Sequence, residues 1–168
     1  RLKKMLVEEV ENYEIITIID GDEDNCSDVI ASYCNKDHRL KMILFSKNFG
    51  HQSSITAGLE NASGCVVVIM DDDLEDPPEE IPNMLRELEK GYDLVYGIRK
   101  KRKVSIIKKF LYYSYYRILN FFSSIDMPYD SGDFCVMNRK VVNTLNNLPE
   151  KNRFIRGLRS WAGFKQTG

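Results

Sequence analysis

Hydrophobic and polar positions along this chain alternate between two patterns, short apolar runs typical of strands and amphipathic stretches typical of helices. This alternation predicts an α/β fold, with a mixed, mostly parallel sheet and helices on both of its faces. The predicted strands are 13–19, 41–45, 65–70, 93–97 and 134–137. The predicted helices are 1–11, 24–35, 53–62, one between the Pro77–Pro78 pair and Gly91, 106–123 and 140–147.

The run from Cys65 to Met70 contains the most continuous valine and isoleucine content of the chain. Such a run fits a strand that is buried on both faces. It is far shorter than the roughly 18 apolar residues that indicate a membrane-spanning helix. We therefore expect it to be a central strand of the sheet.

Composition narrows the class of protein. With 168 residues, of which 43% are hydrophobic, the chain suits one buried core and one domain. A net charge of -1 gives no attraction of the whole molecule to nucleic acid. The four cysteines form no Cys-x-x-Cys pair, which argues against a zinc or redox site and favours a reduced, cytosolic setting.

Acidic residues follow two of the predicted strands directly. If the chain stays extended after Met70, then Asp71, Asp73 and Glu75 point to one side and offer hard oxygen ligands to Mg²⁺ or Mn²⁺. The alternative is a solvated acidic turn that caps the following helix, and the segment alone leaves both open. The same two interpretations apply to the turn 20–24, where Asp24 or Asn25 would be the helix cap.

The run Met70-Asp-Asp-Asp-Leu-Glu-Asp-Pro-Pro-Glu79 closely resembles the metal-binding signature of family 2 glycosyltransferases, specifically the polyprenyl-phosphate sugar transferases akin to dolichol-phosphate mannose synthase. Segments 48–52, 96–99, 131–134 and 152–157 resemble further family segments, and the likeness extends over residues 13–164. The resemblance implies a GT-A type (Rossmann-like) catalytic domain over residues 1–168. It also implies inverting, metal-dependent transfer of a sugar from a UDP- or GDP-sugar to a polyprenyl phosphate at the cytoplasmic face of the membrane.

The resemblance also assigns roles to five acids. Asp20 corresponds to the family acid that contacts the nucleotide base, and Asp71 and Asp73 to the pair at the metal and the donor diphosphate. Glu75 stands where the family often has Gln and would supply another oxygen to Mg²⁺ or Mn²⁺. Asp133 resembles the acid near the acceptor, which makes it the candidate general base.

Three arginines match basic positions that the family uses for phosphates: Arg99 on the donor side, and Arg153 and Arg156 as acceptor or phosphate contacts. One departure concerns the nucleoside. The family usually has Asp-Asp-Gly-Ser where this chain has Ile19-Asp-Gly-Asp22, which removes a polar contact to the nucleoside.

Two further departures concern length. The family's opening strand, which forms one wall of the nucleotide pocket, has no counterpart before Arg1, and membrane helices commonly follow the catalytic part in relatives. We therefore expect a fragment that lacks the first strand and any C-terminal membrane helices, and its own activity stays open.

A basic cluster at 99–109 precedes an aromatic-rich stretch that ends at Phe122. On a helix, this stretch would present a broad apolar face beside cationic side chains, which suits a membrane surface. The alternative is a core helix after a solvated loop. For two single residues a structural role is favoured over a functional one: His51 as a capping or packing residue rather than a phosphate contact, and Trp161 as part of the core rather than a wall of the site.

Two other functions compete with sugar transfer. One is a non-catalytic module that binds a nucleotide sugar or a lipid, which the Ile19 and Asp22 departures favour. The other is Mg²⁺-dependent phosphoryl transfer, whose motif fits the segment Asp71–Glu75 poorly. The partners we expect are a nucleotide sugar, a polyprenyl phosphate and a membrane surface, with no nucleic acid, while a homo-oligomer stays open.

Overall fold

The structure is a computed structural model that describes residues 1–22, 25–98 and 131–168. Its helices are α1 (Leu2–Glu9), α2 (Cys26–Cys34), α3 (His51–Asn61), α4 (Ile81–Glu89, entered through a short 3₁₀ turn at Pro78–Glu80), α5 (Arg139–Asn146) and α6 (Ile155–Trp161). Its strands are β1 (Ile15–Ile19), β2 (Leu40–Leu44), β3 (Val66–Ile69), β4 (Leu94–Ile98), β5 (Ser131–Asn138) and β6 (Gln166–Thr167).

The hydrophobic pattern located most of these elements correctly. All five predicted strands and five of the predicted helices are confirmed, with ends that shift by a few residues. Helix α6 and the short strand β6 were not predicted from the pattern. The predicted helix 106–123 lies outside the described residues. No helix among those described is long and apolar enough to cross a membrane.

The described strands form two sheets. Strands β1 and β2 pair in parallel, while the second sheet has the order β3-β5-β4-β6. Strand β5 is antiparallel to both β3 and β4, and β4 is parallel to β6. The mixed α/β fold is therefore confirmed, although parallel pairs do not outnumber antiparallel ones among the described strands. Because β5 runs against its two neighbours, its first residues lie where β3 and β4 end, with Cys135 opposite Ile69 and Ser131 opposite Ile98.

Strand β5 is the most buried strand. Its residues Phe134 to Met137 are at most 6% exposed, whereas Val66 of β3 is 40% exposed and the rest of β3 is only partly buried. The prediction that β3 is buried on both faces is therefore wrong. Strand β5 is an inner strand of the sheet, hydrogen-bonded to β3 on one side and to β4 on the other, whereas β3 lies at the edge of this sheet among the described strands.

Successive β5 side chains enter two cores on opposite faces of the sheet. Cys135 and Met137 pack in a cluster with residues of α3, α5 and α6, while Phe134 and Val136 pack in another with residues of α1 and α4. Helices therefore cover both faces, as the sequence predicted. Fully burying such aliphatic side chains contributes about 1.5–3 kcal/mol each.

A polar network ties the two sheets together near the start of β1. The Glu14 carboxylate accepts hydrogen bonds from the Ser63 amide and hydroxyl and from Lys41, and it also accepts one from the Gly64 amide. Arg139 at the start of α5 donates to the Gly64 carbonyl. These contacts fix the turn between α3 and β3 at the end of the sheet opposite to the strand ends that carry Asp20 and Asp71.

Candidate active site

The acidic loop after β3 is a compact turn. The Glu75 amide donates to Asp73 Oδ1 over 2.9 Å, and the Asp71 amide donates to Asp76 Oδ2 over 3.1 Å. Between them, Leu74 has a left-handed backbone (φ 67°) and a 74% exposed side chain. The loop is therefore not extended, so the condition under which alternation would place Asp71, Asp73 and Glu75 on one side is not met. The side-chain-to-amide bonds compete with the extended conformation and close the turn instead.

Carboxylates converge around Asp71. Burial raises the pKa of the Asp71 carboxyl, and although His51 lowers it, the negative charges of Asp76, Asp133 and Asp73 raise it further. Asp71 thus lies within electrostatic reach of Asp133 on β5, a residue 62 positions later in the chain. A group of like charges in one place is the arrangement that a cation or a cationic side chain relieves.

A divalent cation fits this donor set only in part. Among residues 1–22, 25–98 and 131–168, no three His, Cys, Asp or Glu side chains are gathered as a ready metal site. Mg²⁺, however, is typically held by one or two carboxylates and completed by substrate phosphates and water. Asp71 and Asp73 offer the hard oxygens that such a shared site needs.

Asp133 lies near the start of β5 with a side chain that is 12% exposed. His51 Nε2 is 3.1 Å from Asp133 Oδ2, and Arg156 Nε is 3.5 Å from Oδ1. Beneath it, Arg159 is only 2% exposed and donates to the carbonyls of Gly132 (2.6 Å) and Asp133 (3.4 Å). Both the carboxylate and the backbone of Asp133 are therefore held in place.

Asp20, at the end of β1, binds the loop that leads into α3. Its two carboxylate oxygens accept hydrogen bonds from the amides of Phe49 (2.6 Å) and Gly50 (2.8 Å). The residue after Gly50 is His51, which contacts Asp133. Asp20 is thus linked to Asp133 on β5 through the start of α3, and its carboxylate has a structural partner that the sequence did not reveal.

The second acidic turn, which follows β1, caps the start of α2, and the side chain that does so is Asp22. Asp22 accepts hydrogen bonds from both the amide and the hydroxyl of Ser27 at the start of α2. Asn25 occupies the N-cap position of α2 with a left-handed backbone, but its side chain makes no capping bond; Asp24, the other expected cap, lies outside the described residues. Gly21 is required here, since its φ is 86° and a Cβ would be 3.1 Å from the Asn48 nitrogen.

The predicted arginines separate into different places. Arg156 reaches the site through its contact with Asp133. Arg153 instead donates to the carbonyls of Asn146, Leu148 and Glu150, near the end of α5. A phosphate would have to displace those bonds. Arg99 lies outside the described residues.

Sequence reasoning missed three residues that shape this site. A lone histidine at a helix start carries no distinctive signal, so His51 was assigned to capping or packing. Asp76 is 3% exposed beneath the acidic loop, and Arg159 lies inside an amphipathic helix that the pattern did not predict. Trp161, expected in the core, is 58% exposed, and that expectation is wrong.

Comparison with known proteins decides the family. The model of the family described as "Glycosyl transferase family 2" matches residues 1–145. The chain belongs to glycosyl transferase family 2. The GT-A type architecture implied by the resemblance of the acidic motif agrees with the mixed α/β fold.

Similar family members come from bacteria and phages. An uncharacterized glycosyltransferase, YkcC of Bacillus subtilis (strain 168), is 45% identical over 168 residues, which cover 99% of this chain and 52% of YkcC. A bactoprenol glucosyl transferase of Shigella phage SfV is 34% identical over 151 residues, which cover 89% of this chain and 49% of that protein. The chain thus spans about half the length of these curated relatives.

A solved structure supports the fold at low sequence identity. It is the mannosyltransferase PcManGT from Pyrobaculum calidifontis in complex with GDP-Man and Mn²⁺, with a TM-score of 0.60 and 14% identity. The match covers 98% of this chain and 50% of that one. At this identity the likeness concerns the family's fold.

Proposed function

We propose that this family 2 glycosyltransferase moves a sugar from a nucleotide sugar, a UDP- or GDP-sugar, to a polyprenyl phosphate at the cytoplasmic face of the membrane, with Mg²⁺ or Mn²⁺. The proposal rests on the convergence of the acidic loop, Asp133 and Arg156 at one end of the sheet. The name of the SfV relative supports a lipid carrier as acceptor, and the ligands of PcManGT support a nucleotide sugar with a divalent cation.

The reaction we propose forms a bond between an acceptor phosphate oxygen and the anomeric carbon, while the bond from that carbon to the donor diphosphate breaks. The electron pair leaves on the nucleoside diphosphate, and the configuration inverts. A bound divalent ion would supply Lewis acidity for the departing diphosphate. Asp71 and Asp73 would hold that ion, with Glu75 as a further candidate ligand. The acceptor is already anionic and needs little deprotonation; where it keeps one proton, its P–O–H group would donate to Asp133, which orients the acceptor and takes that proton as the new bond forms.

Arg156 is suited to the phosphate that both substrates carry. Its guanidinium is partly exposed beside Asp133, and a charged donor of this kind forms short, strong hydrogen bonds to phosphate oxygens. Asp20 would face the nucleoside while it holds the loop at Phe49 and Gly50. In this proposal Arg99 contacts the donor phosphates, and the basic cluster 99–109 contacts the membrane surface.

The non-catalytic alternative loses its main support in the structure. It was motivated by Ile19 and Asp22, where the family usually has polar residues. Ile19 is 6% exposed, and Asp22 is bonded to Ser27 at the start of α2. Both residues therefore have structural roles that are compatible with turnover. The phosphoryl-transfer alternative gives way to the family membership.

The test is a transfer assay with the full-length protein, a panel of nucleotide sugars, polyprenyl phosphate and Mn²⁺ or Mg²⁺. We expect a lipid-extractable sugar product with at least one donor, and no product in EDTA. Asp73→Asn should lower turnover by about 100-fold or more, because the metal ion that would stabilise the departing diphosphate loses a carboxylate ligand. Asp72→Asn is the matched control, one position away in the same loop, and should retain activity. Transfer that is unaffected by EDTA, or hydrolysis of the donor as the only reaction, would contradict the proposal.

A further inference from the structure

We propose that His51 is a positioning residue for Asp133, holding its carboxylate in the orientation that the acceptor needs. This inference rests on the proposed function, and it assigns a role to a side chain that the catalytic scheme does not otherwise use. His51 Nε2 lies 3.1 Å from Asp133 Oδ2, within hydrogen-bond distance. An N–H at Nε2 of this ring would donate to the carboxylate of Asp133.

The contact is directional because the carboxylate is held from two sides. His51 approaches one oxygen from the start of α3, and Arg156 approaches the other from the start of α6. A carboxylate contacted at each oxygen by a different element cannot rotate freely about its Cβ–Cγ bond. The lone pairs of Asp133 that His51 and Arg156 do not contact therefore point in a fixed direction at this end of the sheet, where the acceptor would bind.

The backbone around His51 is fixed on both flanks. On one side, Asp20 holds the amides of Phe49 and Gly50. On the other side, the Ile155 amide donates to the Gln52 side chain over 2.8 Å, which ties the start of α3 to the start of α6. Two such anchors fix the backbone position from which the His51 ring reaches Asp133, as a positioning group requires.

The backbone of Asp133, the partner of His51, is anchored as well. Buried Arg159 donates to the carbonyls of Gly132 and Asp133, so the start of β5 cannot shift independently of α6. In contrast, the His51 side chain itself is half exposed. A half-exposed ring adds little to the core, which separates this inference from a packing role.

Charge explains why the carboxylate needs such support. Asp133 shares its surroundings with Asp71 and the other acids of the loop, and like charges push a free carboxylate away from its neighbours. A donor on Oδ2 opposes that displacement. Without it, Asp133 would turn toward solvent, and the acceptor phosphate would lose its orienting group.

The experiment measures kcat and the KM for the nucleotide sugar in the full-length protein. His51→Ala should lower kcat by about 10-fold to 100-fold, as expected when a reacting group is misplaced by about an ångström, and should leave KM within about 2-fold. His51→Gln should recover most of kcat, because the glutamine amide can donate to Asp133 Oδ2. His38→Ala is the matched control, since it removes the other histidine of the chain, which is exposed in the turn before β2. It should behave as the wild type.

A double-mutant cycle separates positioning from general damage. If His51 acts through Asp133, then His51→Ala should change kcat by less than about 2-fold in an Asp133→Asn background. An equal loss in both backgrounds, a failure of His51→Gln to recover activity, or a loss confined to KM would overturn the inference.

The wild type, His51→Ala, Asp133→Asn and the double variant are also compared in thermal unfolding, which does not depend on catalysis. We expect the two substitutions to shift the unfolding midpoint non-additively, because residues in contact are energetically coupled. Additive shifts would overturn the contact itself. If the wild type transfers no sugar from any donor, the proposed function fails, and the unfolding cycle alone then decides the His51–Asp133 pairing.

Discussion

At the scale of single residues, the charged carboxylate of Asp71 lowers the stability of the metal-free fold, although the proposed reaction needs it as a metal ligand. Burial and the neighbouring acids raise the pKa of its carboxyl, so the folded protein binds this proton more tightly than the unfolded chain does. Above its ordinary pKa, the ionised group therefore opposes folding. We predict that Asp71→Asn raises the unfolding temperature of the metal-free protein by about 1–3 °C while turnover falls by about 100-fold. A lower unfolding temperature in differential scanning calorimetry would contradict this, and Asp72→Asn serves as control.

Asp20 combines a structural and a functional role. Its carboxylate accepts two backbone amides of the loop before α3. Asp20→Ala should therefore destabilise the protein by about 1–3 kcal/mol, through the loss of two hydrogen bonds to a charged carboxylate, and should also weaken donor binding. The matched control is Asp22→Ala, which releases the start of α2 and should destabilise the protein with donor affinity unchanged. Urea denaturation and calorimetric titration of the donor measure both effects; equal donor affinities in the two variants would refute the prediction.

Which residues form the site could be predicted from the sequence only where a motif marked them. Asp71, Asp73 and Asp133 were proposed through their resemblance to family segments, and the charges of Asp73 and Asp133 both act on the carboxyl of Asp71. His51 could not be found, because its partner Asp133 lies 82 positions away and a single histidine has many uses. The alternation argument failed for Glu75, since hydrogen bonds within the loop decide its shape.

At the scale of elements, Glu14 controls how the start of β1 is attached to the turn before β3. Burial alone would raise the pKa of this carboxyl, but the hydrogen bonds from Lys41 and Ser63 lower it to about 2, from 4.5. A lowered carboxyl pKa stabilises the fold above its unfolded value, and this contribution is lost as the pH falls from about 4.5 to about 2.

Glu14→Gln should therefore weaken the fold at pH 7 by about 1–2 kcal/mol, allowing for solvent screening, and should flatten the dependence of stability on pH in that window. The measurement is urea denaturation at a series of pH values between 2 and 7. Glu8→Gln, on the exposed side of α1, should retain the wild-type slope. A Glu14→Gln variant with the same slope as the wild type would show that the network does not titrate with folding.

The elements themselves were largely predictable, whereas their arrangement was not. Local patterns of apolar residues mark β1 to β4 and α1 to α5 because each needs only its own periodicity. The inner position of β5 depends on pairing with β3 and β4, which are far away in the chain. Strand pairing is a tertiary property, so the most apolar run, that of β3, was mistaken for the most buried strand.

At the scale of the whole molecule, the charge pattern predicts a membrane contact by residues that the structure does not describe. Lysines 100, 101, 103, 108 and 109 precede an aromatic-rich stretch. Replacing these five with Gln should weaken binding to anionic vesicles, because each lysine near such a surface contributes about 1 kcal/mol.

The loss should be greatest at low salt, where screening is weakest, and donor affinity should not change. Vesicle sedimentation at several salt concentrations measures the effect. The matched control removes five exposed lysines from the described part of the chain: Lys4, Lys36, Lys90, Lys140 and Lys151. If both variants lose binding equally, net charge is responsible and the cluster has no special role.

Leu74 gives protein engineers a way to vary the rigidity of the acidic loop separately from its chemistry. A branched residue with a left-handed backbone holds about 1–2 kcal/mol of strain that glycine or asparagine would not. Because its side chain is 74% exposed and carries no ligand atom, exchange at this position leaves the carboxylates untouched. A small library limited to position 74 would therefore produce enzymes with identical reacting groups and a graded cost of bending the loop. Directed evolution toward new donors can begin from that set.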